Sequence, residues 1–315
     1  MARIAYLGPE GTFTEAALLQ ITAARLVPAH ASEGVQRLPV ESTPAALDAV
    51  RGGAADYACV PIENSIDGSL APTLDSLAIG SPLQVFAETT LDVAFSIVVG
   101  NGVGPSDIRA VAAFPVAAAQ VRQWLTAHLP GVELRPAYSN ADAARQVAEG
   151  QVDAAVTSPL AASHWGLETL AEGVVDESNA RTRFLLIGPP GPPPDRTGAD
   201  RTSAVLRLDN VPGALLLALT EFGMRGIDLT RIESRPTRTG LGTYMFFVDC
   251  VGHIDDDAVA EALKALHRRC ADVRYLGSWP ASQPSGVPPP DAEEATRWLA
   301  RIREGKPDPD GELVQ

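Results

Sequence analysis

Short apolar runs alternate with amphipathic segments from the N-terminus to a proline-rich stretch that begins at Gly188. Apolar runs bounded by turn residues predict buried strands, and apolar positions three and four residues apart predict helices. The predicted strands are 3–7, 36–41, 56–61, 110–114, 133–138 and 153–157, and the predicted helices are 12–26, 42–53, 115–128 and 139–150. Strands that alternate with helices are typical of an α/β fold. The longer run 84–99 has the length to cross between two parts of such a fold.

Two stretches of this region show the same order of features, and we call this similarity the internal echo. Each stretch has a helix cap, a helix, a glycine that ends the helix, an aspartate and a buried strand. The aligned pairs are Ser42 with Ser139, Ala46 with Ala143, Val50 with Val147, Gly53 with Gly150, Asp56 with Asp153 and Ala58 with Ala155. The echo predicts two similarly built α/β lobes, with the cleft between them as the ligand site.

The residues beyond the prolines form a second, separate pattern. Strands are predicted at 202–208, 227–234, 242–252 and 273–279, and helices at 212–225 and 255–269. This βαββαβ order is the ferredoxin-like arrangement. A Pro/Ser-rich connector at 281–290 and a short helix at 292–303 follow.

Composition limits the function classes. The formal net charge of the 315 residues is -14, which argues against nucleic acid or an anionic membrane as a partner. No apolar run reaches the length of a membrane span, and the first residues lack a signal-peptide layout, so we expect a cytoplasmic protein. The three cysteines and five histidines are scattered, which predicts reduced, structural cysteines and no metal site. The turn Gly8-Pro9-Glu10-Gly11 joins a strand to a helix, so its free N–H groups make a plausible anion site, although a plain helix start is the simpler interpretation. It matches no nucleotide-binding loop, so no cofactor is expected.

The clearest candidate chemistry is the segment 179–184, directly before the apolar end of the first region. Arg181 and Arg183 flank the hydroxyl of Thr182, and guanidinium groups match carboxylates in geometry. The alternative is that both arginines solvate a strand edge. A second polar cluster, 63–69, follows a predicted buried strand, where ligands of α/β sheets bind, although Asn64 and Ser65 also suit a turn.

Five segments together resemble the prephenate dehydratase family with a C-terminal ACT regulatory domain. They are Gly8–Thr14, Val60–Gly68, Thr182–Phe184, Gly213–Leu215 and Glu233–Pro236. The resemblance covers residues 3–279. It implies a two-lobed catalytic domain similar to periplasmic binding proteins, followed by a ferredoxin-like ACT domain.

The resemblance also sets expected domain bounds. They are a catalytic domain at 3–188, with one lobe of about 3–82 plus 165–188 and another of 84–164, a linker at 189–201, an ACT domain at 202–279 and a tail at 280–315.

The implied reaction is the decarboxylative dehydration of prephenate to phenylpyruvate, in phenylalanine biosynthesis. Carried over by motif, Thr182 would donate a hydrogen bond to the leaving hydroxyl. Arg183 would hold a substrate carboxylate, with Arg181 next in line, and Phe184 would form a wall of the pocket. Asn64, Ser65 and Gln120 would orient the ring substituents.

The chain departs from the family pattern at two places. Ala113-Phe114-Pro115 stands where the family often has Ser-His-Pro, so any role for a serine or histidine there is absent or supplied elsewhere. Ala180-Arg181 precedes Thr182 where Asn-Asn or Gln-Asn is common. Geometry adds a condition, because neighbouring residues of a strand point to opposite faces. Thr182 and Arg183 could reach one substrate only if 179–183 formed a loop before the strand.

The ACT resemblance implies feedback by L-phenylalanine, bound between the ACT domains of a homodimer or homotetramer. The residues that match this effector site are Asn210, Val211, Pro212, Gly213, Ala214, Leu215, Glu233 and Ser234. A glycine turn and a helix N-terminus suit a carboxylate, and Glu233 suits an ammonium group.

Two other functions stay open. Arogenate dehydratase is the enzymatic rival, since its substrate has an amine in place of the keto oxygen, and Glu63 is the carboxylate that would favour it. A non-catalytic two-lobed amino-acid-binding protein is the rival from another class.

Overall fold

The computed structural model describes residues 1–28, 34–177, 179–237, 242–291 and 293–306. The expected helix start at 292 and the last part of the expected tail, 307–315, lie outside these residues. The chain divides into two compact units, Met1–Pro192 and Pro193–Gln315. No helix among the described residues combines the length and apolar character needed to cross a membrane.

The first unit contains eleven strands and seven α-helices among its described residues. The strands are β1 Ala2–Leu7, β2 Val35–Val40, β3 Tyr57–Asn64, β4 Gly68–Ser69, β5 Gln84–Asp92, β6 Phe95–Val99, β7 Ala110–Ala113, β8 Glu133–Pro136, β9 Ala154–Thr157, β10 Glu168–Val174 and β11 Arg181–Gly188. The helices are α1 Phe13–Ala23, α2 Thr43–Arg51, α3 Ala71–Ala78, α4 Pro115–Gln120, α5 Arg122–His128, α6 Asn140–Ala148 and α7 Pro159–His164.

These strands form two mixed sheets, one in each lobe, as the internal echo predicts. The first has the order β2-β1-β3-β11-β5, and β4 pairs with β3. The second has the order β10-β6-β9-β7-β8. The chain crosses between the sheets twice, from β5 to β6 and from β10 to β11. The run 84–99 therefore does cross between lobes, as two strands rather than one.

The two crossings differ from the expected lobe boundaries. β5 belongs to the first sheet, although its residues were expected in the second lobe. β10 belongs to the second sheet, although 165–188 was expected in the first lobe. β10 is an edge strand with mostly half-exposed side chains, so it lacks the apolar run by which a buried strand is detected.

The echo between the lobes has a physical counterpart. Ser42 and Ser139 are the N-caps of α2 and α6, and each hydroxyl accepts the N–H three residues later. Asp56 accepts the N–H of Arg3, and Asp153 accepts the N–H groups of Arg109 and Ala110. Each aspartate thus ties the residue before one strand to the start of the neighbouring parallel strand.

The lobes touch where α1 begins. Gly11 has a φ of +86°, and its carbonyl accepts the hydroxyl of Ser158, the N-cap of α7. A Cβ at Gly11 would lie 2.8 Å from the Ala161 Cβ. The rings of Phe13 and Phe95 meet edge to face, with centroids 5.7 Å apart.

The second unit has the predicted βαββαβ order. Its elements are β12 Asp200–Arg207, α8 Ala214–Gly223, β13 Leu229–Pro236, β14 Tyr244–Val251, α9 Asp257–Arg269 and β15 Asp272–Pro280, followed by α10 Glu293–Arg303. The sheet order is β13-β14-β12-β15, and all its pairs are antiparallel. Both helices pack on one face, where Leu206, Phe222 and Val248 are buried together.

We predict that Gly11→Ala destabilises the first unit more than the matched variant Gly53→Ala. Both glycines have positive φ, so each alanine costs roughly 1–2 kcal/mol in backbone strain. The Cβ added at Gly53 meets open space, whereas that at Gly11 meets α7. We expect Gly11→Ala to lower the free energy of unfolding by about 1–3 kcal/mol more than Gly53→Ala does, which is the usual cost of overpacking. Urea unfolding followed by tryptophan fluorescence measures this, and equal losses would contradict the contact between the lobes.

Candidate active site

A cavity of about 800 Å³ lies between the two lobes. On the first lobe, its walls are the carboxyl ends of β1 and β2 and the first turn of α1. On the second lobe, they are Phe114, which follows β7, and the residues from Tyr138 into the first turn of α6. The cleft that the sequence predicts is therefore present, at the carboxyl edge of the first sheet, where ligands of open α/β sheets bind.

Thr182 and Asn64 meet at this same edge, on β11 and β3. Asn64 Nδ2 donates a hydrogen bond to Thr182 Oγ1 over 2.9 Å. Asn64 Oδ1 accepts the N–H groups of Ile66 and Asp67 at 2.8 and 3.0 Å, which fixes the orientation of the amide. Because the amide occupies a lone pair of the hydroxyl oxygen, the proton of Thr182 remains available to another acceptor.

Ser65 holds the chain that leads into Thr182. Its hydroxyl donates to Asn179 O and accepts from Arg181 N, each over 2.9 Å. Its own N–H donates to Arg181 O over 2.8 Å. The Ser65 hydroxyl is thus committed to the backbone, and its contribution to the site is the position of Thr182.

The condition for a shared contact of Thr182 and Arg183 with one substrate, a loop at 179–183, is not met, because β11 already begins at Arg181. Thr182 pairs with Asn64 on β3 and Leu91 on β5, and Arg183 pairs with Glu63 and Thr90. Ladder partners on both sides keep this segment extended. Thr182 and Arg183 accordingly point to opposite faces of the sheet.

The side chain of Arg183 pairs with two carboxylates. Its nitrogens lie 3.1 Å from Glu63 Oε2 and 3.3 Å from Glu88 Oε2. The Glu88 side chain is only 1% exposed, and that of Arg183 only 12%. Arg181 is more exposed and pairs with Asp92 over 2.8 Å. Like Thr182 and Asn64, neither arginine is among the residues that line the cavity.

Phe184 and Gln120 occupy different surroundings from those expected. Phe184 is 2% exposed and packs in the core of the first lobe with Tyr6 and Leu186, so it is not a pocket wall. Gln120 ends α4, because the predicted helix 115–128 breaks at Val121. Its side-chain oxygen is buried without a hydrogen-bond partner among the described residues.

Three parts of the cavity wall were missed as functional positions. Phe114 appeared in the sequence only as a departure from a family pattern, and Ser139 and Asn140 only as the start of a helix. The first turn of α1 offered a plausible anion site, but its capping box by itself indicates an ordinary helix start, so it was not assigned as a functional position. Spatial convergence of these segments in the cleft is the missing signal, and it depends on how the lobes meet.

Asp142 adds an ionised carboxylate to the second-lobe wall. Burial opposes its ionisation, but the Tyr138 N–H, Arg145 and Gln146 outweigh burial and hold the pKa of Asp142 below its usual range. Arg145 lies 2.6 Å from Asp142 Oδ1, so this charge is compensated within α6. Across the described part of the chain, no three His, Cys, Asp or Glu side chains group as metal ligands would.

The residues of the expected effector site lie at the end of the second unit's sheet where β12 and β13 finish. Asn210, Val211, Pro212, Gly213, Ala214 and Leu215 form the turn from β12 into α8, and Glu233 and Ser234 lie near the end of β13. Arg207 pairs with Met245, and Met245 pairs with Arg235, so the two segments are separated only by β14. Gly213 has a φ of +81° and is the N-cap of α8, as a glycine turn requires.

Comparison with known proteins supports the same division of the chain. Residues 4–191 match the family model of prephenate dehydratase, and residues 202–268 match that of the ACT domain. Prephenate dehydratase of Mycobacterium marinum is 84% identical over 308 residues, which are 98% of each chain.

Solved structures extend this similarity to the fold. Prephenate dehydratase from Arthrobacter aurescens, in complex with L-Phe, is 42% identical and covers 96% of this chain and 100% of that chain, with a TM-score of 0.84. GqqA, described as a novel type of quorum quenching acylase, is 30% identical and covers 89% of this chain and 98% of that chain, with a TM-score of 0.76. The two family matches and the extent of identity show that the chain belongs to the prephenate dehydratase family and carries a C-terminal ACT domain.

Proposed function

We propose that the chain converts prephenate to phenylpyruvate, carbon dioxide and water, as a lyase of phenylalanine biosynthesis. The bond from the ring to its carboxylate breaks, and its electron pair enters the ring. The carbon–oxygen bond at the opposite ring carbon breaks. The hydroxyl group leaves with the electron pair of this carbon–oxygen bond and takes up one proton to become water. Since aromatisation drives the reaction, the protein mainly has to place the substrate and assist the leaving oxygen.

The hydrogen bond from Asn64 to Thr182 carries this proposal. It leaves the Thr182 proton available at the sheet edge beside the cleft. Thr182 itself is 9% exposed, so a hydrogen bond from it to the departing oxygen is formed with little competition from water. Asn64 and Ser65 act by positioning Thr182.

Arg183 has a structural role in this proposal instead of the expected carboxylate contact. Its charge is balanced by Glu63 and Glu88, on the face of β11 opposite Thr182. A buried carboxylate such as Glu88 requires a cation, because an unpaired charge is costly in the interior.

Arogenate is the second candidate substrate. Glu63, the carboxylate expected to meet its ammonium group, is instead paired with Arg183. One observation still favours arogenate, because Glu41 is an exposed carboxylate on the cavity wall without an ion-pair partner among the described residues. Turnover of both substrates by the same preparation distinguishes them. Turnover of neither would favour the non-catalytic binding protein or another activity of this fold.

Feedback by L-phenylalanine is the regulatory part of the proposal. The turn at Gly213 offers N–H groups at the start of α8, and Glu233 offers a carboxylate at the same end of the sheet. Val211 and Leu216 are 60% and 69% exposed, which suits a contact with a second copy of this domain. Inhibition requires that L-phenylalanine bind the less active state more tightly.

Thr182→Ala is expected to lower kcat about 10²- to 10³-fold, the usual loss for a donor that acts in the transition state. Thr182→Ser keeps the hydroxyl and should retain measurable turnover. Ultraviolet detection of phenylpyruvate from prephenate gives both values. Parental turnover by Thr182→Ala would remove Thr182 from the mechanism.

Arg183→Met should lower the free energy of unfolding by about 3–5 kcal/mol, because it leaves the buried Glu88 without its cation. The double variant Arg183→Met/Glu88→Leu should recover most of that loss. Arg181→Met is the matched control, and its exposed pair predicts a change within about 1 kcal/mol. Urea unfolding tests this. A stable Arg183→Met with a raised KM would instead return the carboxylate contact to Arg183.

Glu233→Ala should weaken L-phenylalanine binding about tenfold, the loss expected when a hydrogen bond to a charged group is removed. Its turnover of prephenate should stay close to that of the parent. Glu261→Ala, on the exposed side of α9, is the matched control. Titration calorimetry measures the affinity, and an unchanged affinity in Glu233→Ala would exclude this residue from the effector site.

A further inference from the structure

A substrate with two carboxylates needs a binding group other than Arg183. The guanidinium of Arg183 is held by Glu63 and Glu88 on the far face of β11. Neither Arg181 nor Arg183 reaches the cavity wall. If the protein acts as proposed above, on which this inference rests, the wall of the cavity itself must bind a substrate carboxylate.

Thr14 is the most unusual polar side chain of the cavity wall. It lies in the first turn of the eleven-residue helix α1 and is only 4% exposed. Its hydroxyl makes no hydrogen bond to another residue that the structure describes, and it is not one of the fully buried atoms that lack a partner. Thr14 lines the cavity, so its hydroxyl is open to a ligand atom there.

The backbone around Thr14 favours an anion. The first N–H groups of a helix lack partners within the helix, and the helix dipole places partial positive charge there. Thr12 Oγ1 accepts a hydrogen bond from the N–H of Glu15, and the Glu15 carboxylate accepts one from the N–H of Gly11 over 2.6 Å. These contacts leave the N–H groups of Phe13 and Thr14 for a ligand.

A second helix start faces the same cavity from the other lobe. Asn140 is the first residue of the nine-residue helix α6 and lines the cavity. Ser139 caps this helix through the N–H of Asp142 at 3.0 Å. The cavity therefore lies between two helix N-termini, one in each lobe.

Two acidic side chains share the wall, and neither cancels this arrangement. Asp142 is compensated by Arg145 within its own helix. Glu41 follows β2 and is exposed, so water screens its charge.

The shape of the substrate fits these positions. In prephenate, both acidic groups are attached to the ring carbon opposite the one that bears the hydroxyl. Thr182 lies on β11, which is two strands from β1, or roughly 10 Å at the usual strand spacing. A ring with its hydroxyl near Thr182 would direct its acidic end toward the cavity.

We infer that Thr14, together with the N-termini of α1 and α6, binds the side-chain carboxylate of the substrate, the one that the product keeps. Thr14 Oγ1 and the N–H groups of α1 donate to this carboxylate. The ring carboxylate, which leaves as carbon dioxide, does not need such a hold.

Thr14→Val tests the hydroxyl, since it keeps the shape of the side chain. We expect KM for prephenate to rise about 10- to 100-fold, the range for a lost hydrogen bond to a charged group, while kcat changes less than about threefold. Thr14→Ser should restore KM. Thr43→Val is the matched control, because Thr43 is also buried in the first turn of a helix but lies outside the cavity wall. An unchanged KM in Thr14→Val would overturn the inference.

Inhibition by product analogues separates this inference from the proposed reaction. Phenylpyruvate carries the carboxylate, and phenylacetone has a methyl group in its place. The inhibition constant of phenylpyruvate should rise in Thr14→Val by the same factor as KM, and that of phenylacetone should stay the same. Equal changes for both compounds would overturn the carboxylate contact. A parent protein that does not turn over prephenate would instead refute the proposed function.

Asn140→Asp tests the second helix start. Aspartate in a first turn favours the helix, but the side-chain oxygen of Asn140 is buried, so the free energy of unfolding is measured by urea alongside KM. The added negative charge should repel the carboxylate and raise KM at least tenfold, with a smaller effect at high salt. A KM that stays at the parental value would remove α6 from the site.

Discussion

The hydrogen bond between Asn64 and Thr182 is the contact on which the geometry of the candidate site depends. It joins the last residue of β3 to the second residue of β11, so it exists only if two distant segments pair in register. Ser65 secures the same junction through three backbone contacts. The preceding residues return from the second lobe, and Ala180 is buried in that lobe's core. The position of the hydroxyl is therefore tied to both lobes.

Thr182 and Arg183 are neighbours in one motif, but their side chains have different surroundings. In an extended strand, Thr182 and Arg183 must face opposite sides of the sheet. On one side a hydroxyl is positioned by an amide, and on the other a guanidinium balances a buried carboxylate, Glu88. Under the proposed function, loss of Thr182 would reduce activity through the chemistry, and loss of Arg183 would reduce it through stability.

The sequence predicts features that are local along the chain. Ser42 and Ser139 cap their helices as the echo indicates, and the βαββαβ order of the second unit is confirmed. Features that depend on pairing partners were harder to predict. β10 has a weak apolar pattern because it is an edge strand, and β11 starts early because β3 and β5 flank it. The role of Phe184 follows from three-dimensional packing, which places it in a core.

The same distinction applies to binding sites. A capping box at Thr12 describes a helix start equally well with or without a ligand, so sequence alone favours the simpler interpretation. The structure adds that a second helix starts across the cleft and that Thr14, a largely buried residue, lines the cavity between them. An acidic protein can bind an acidic substrate in this way without a dedicated arginine, because backbone N–H groups bring partial positive charge without a counter-ion. Since each lobe contributes one helix start, the carboxylate would be held fully only when the lobes are closed, which links substrate binding to closure of the cleft.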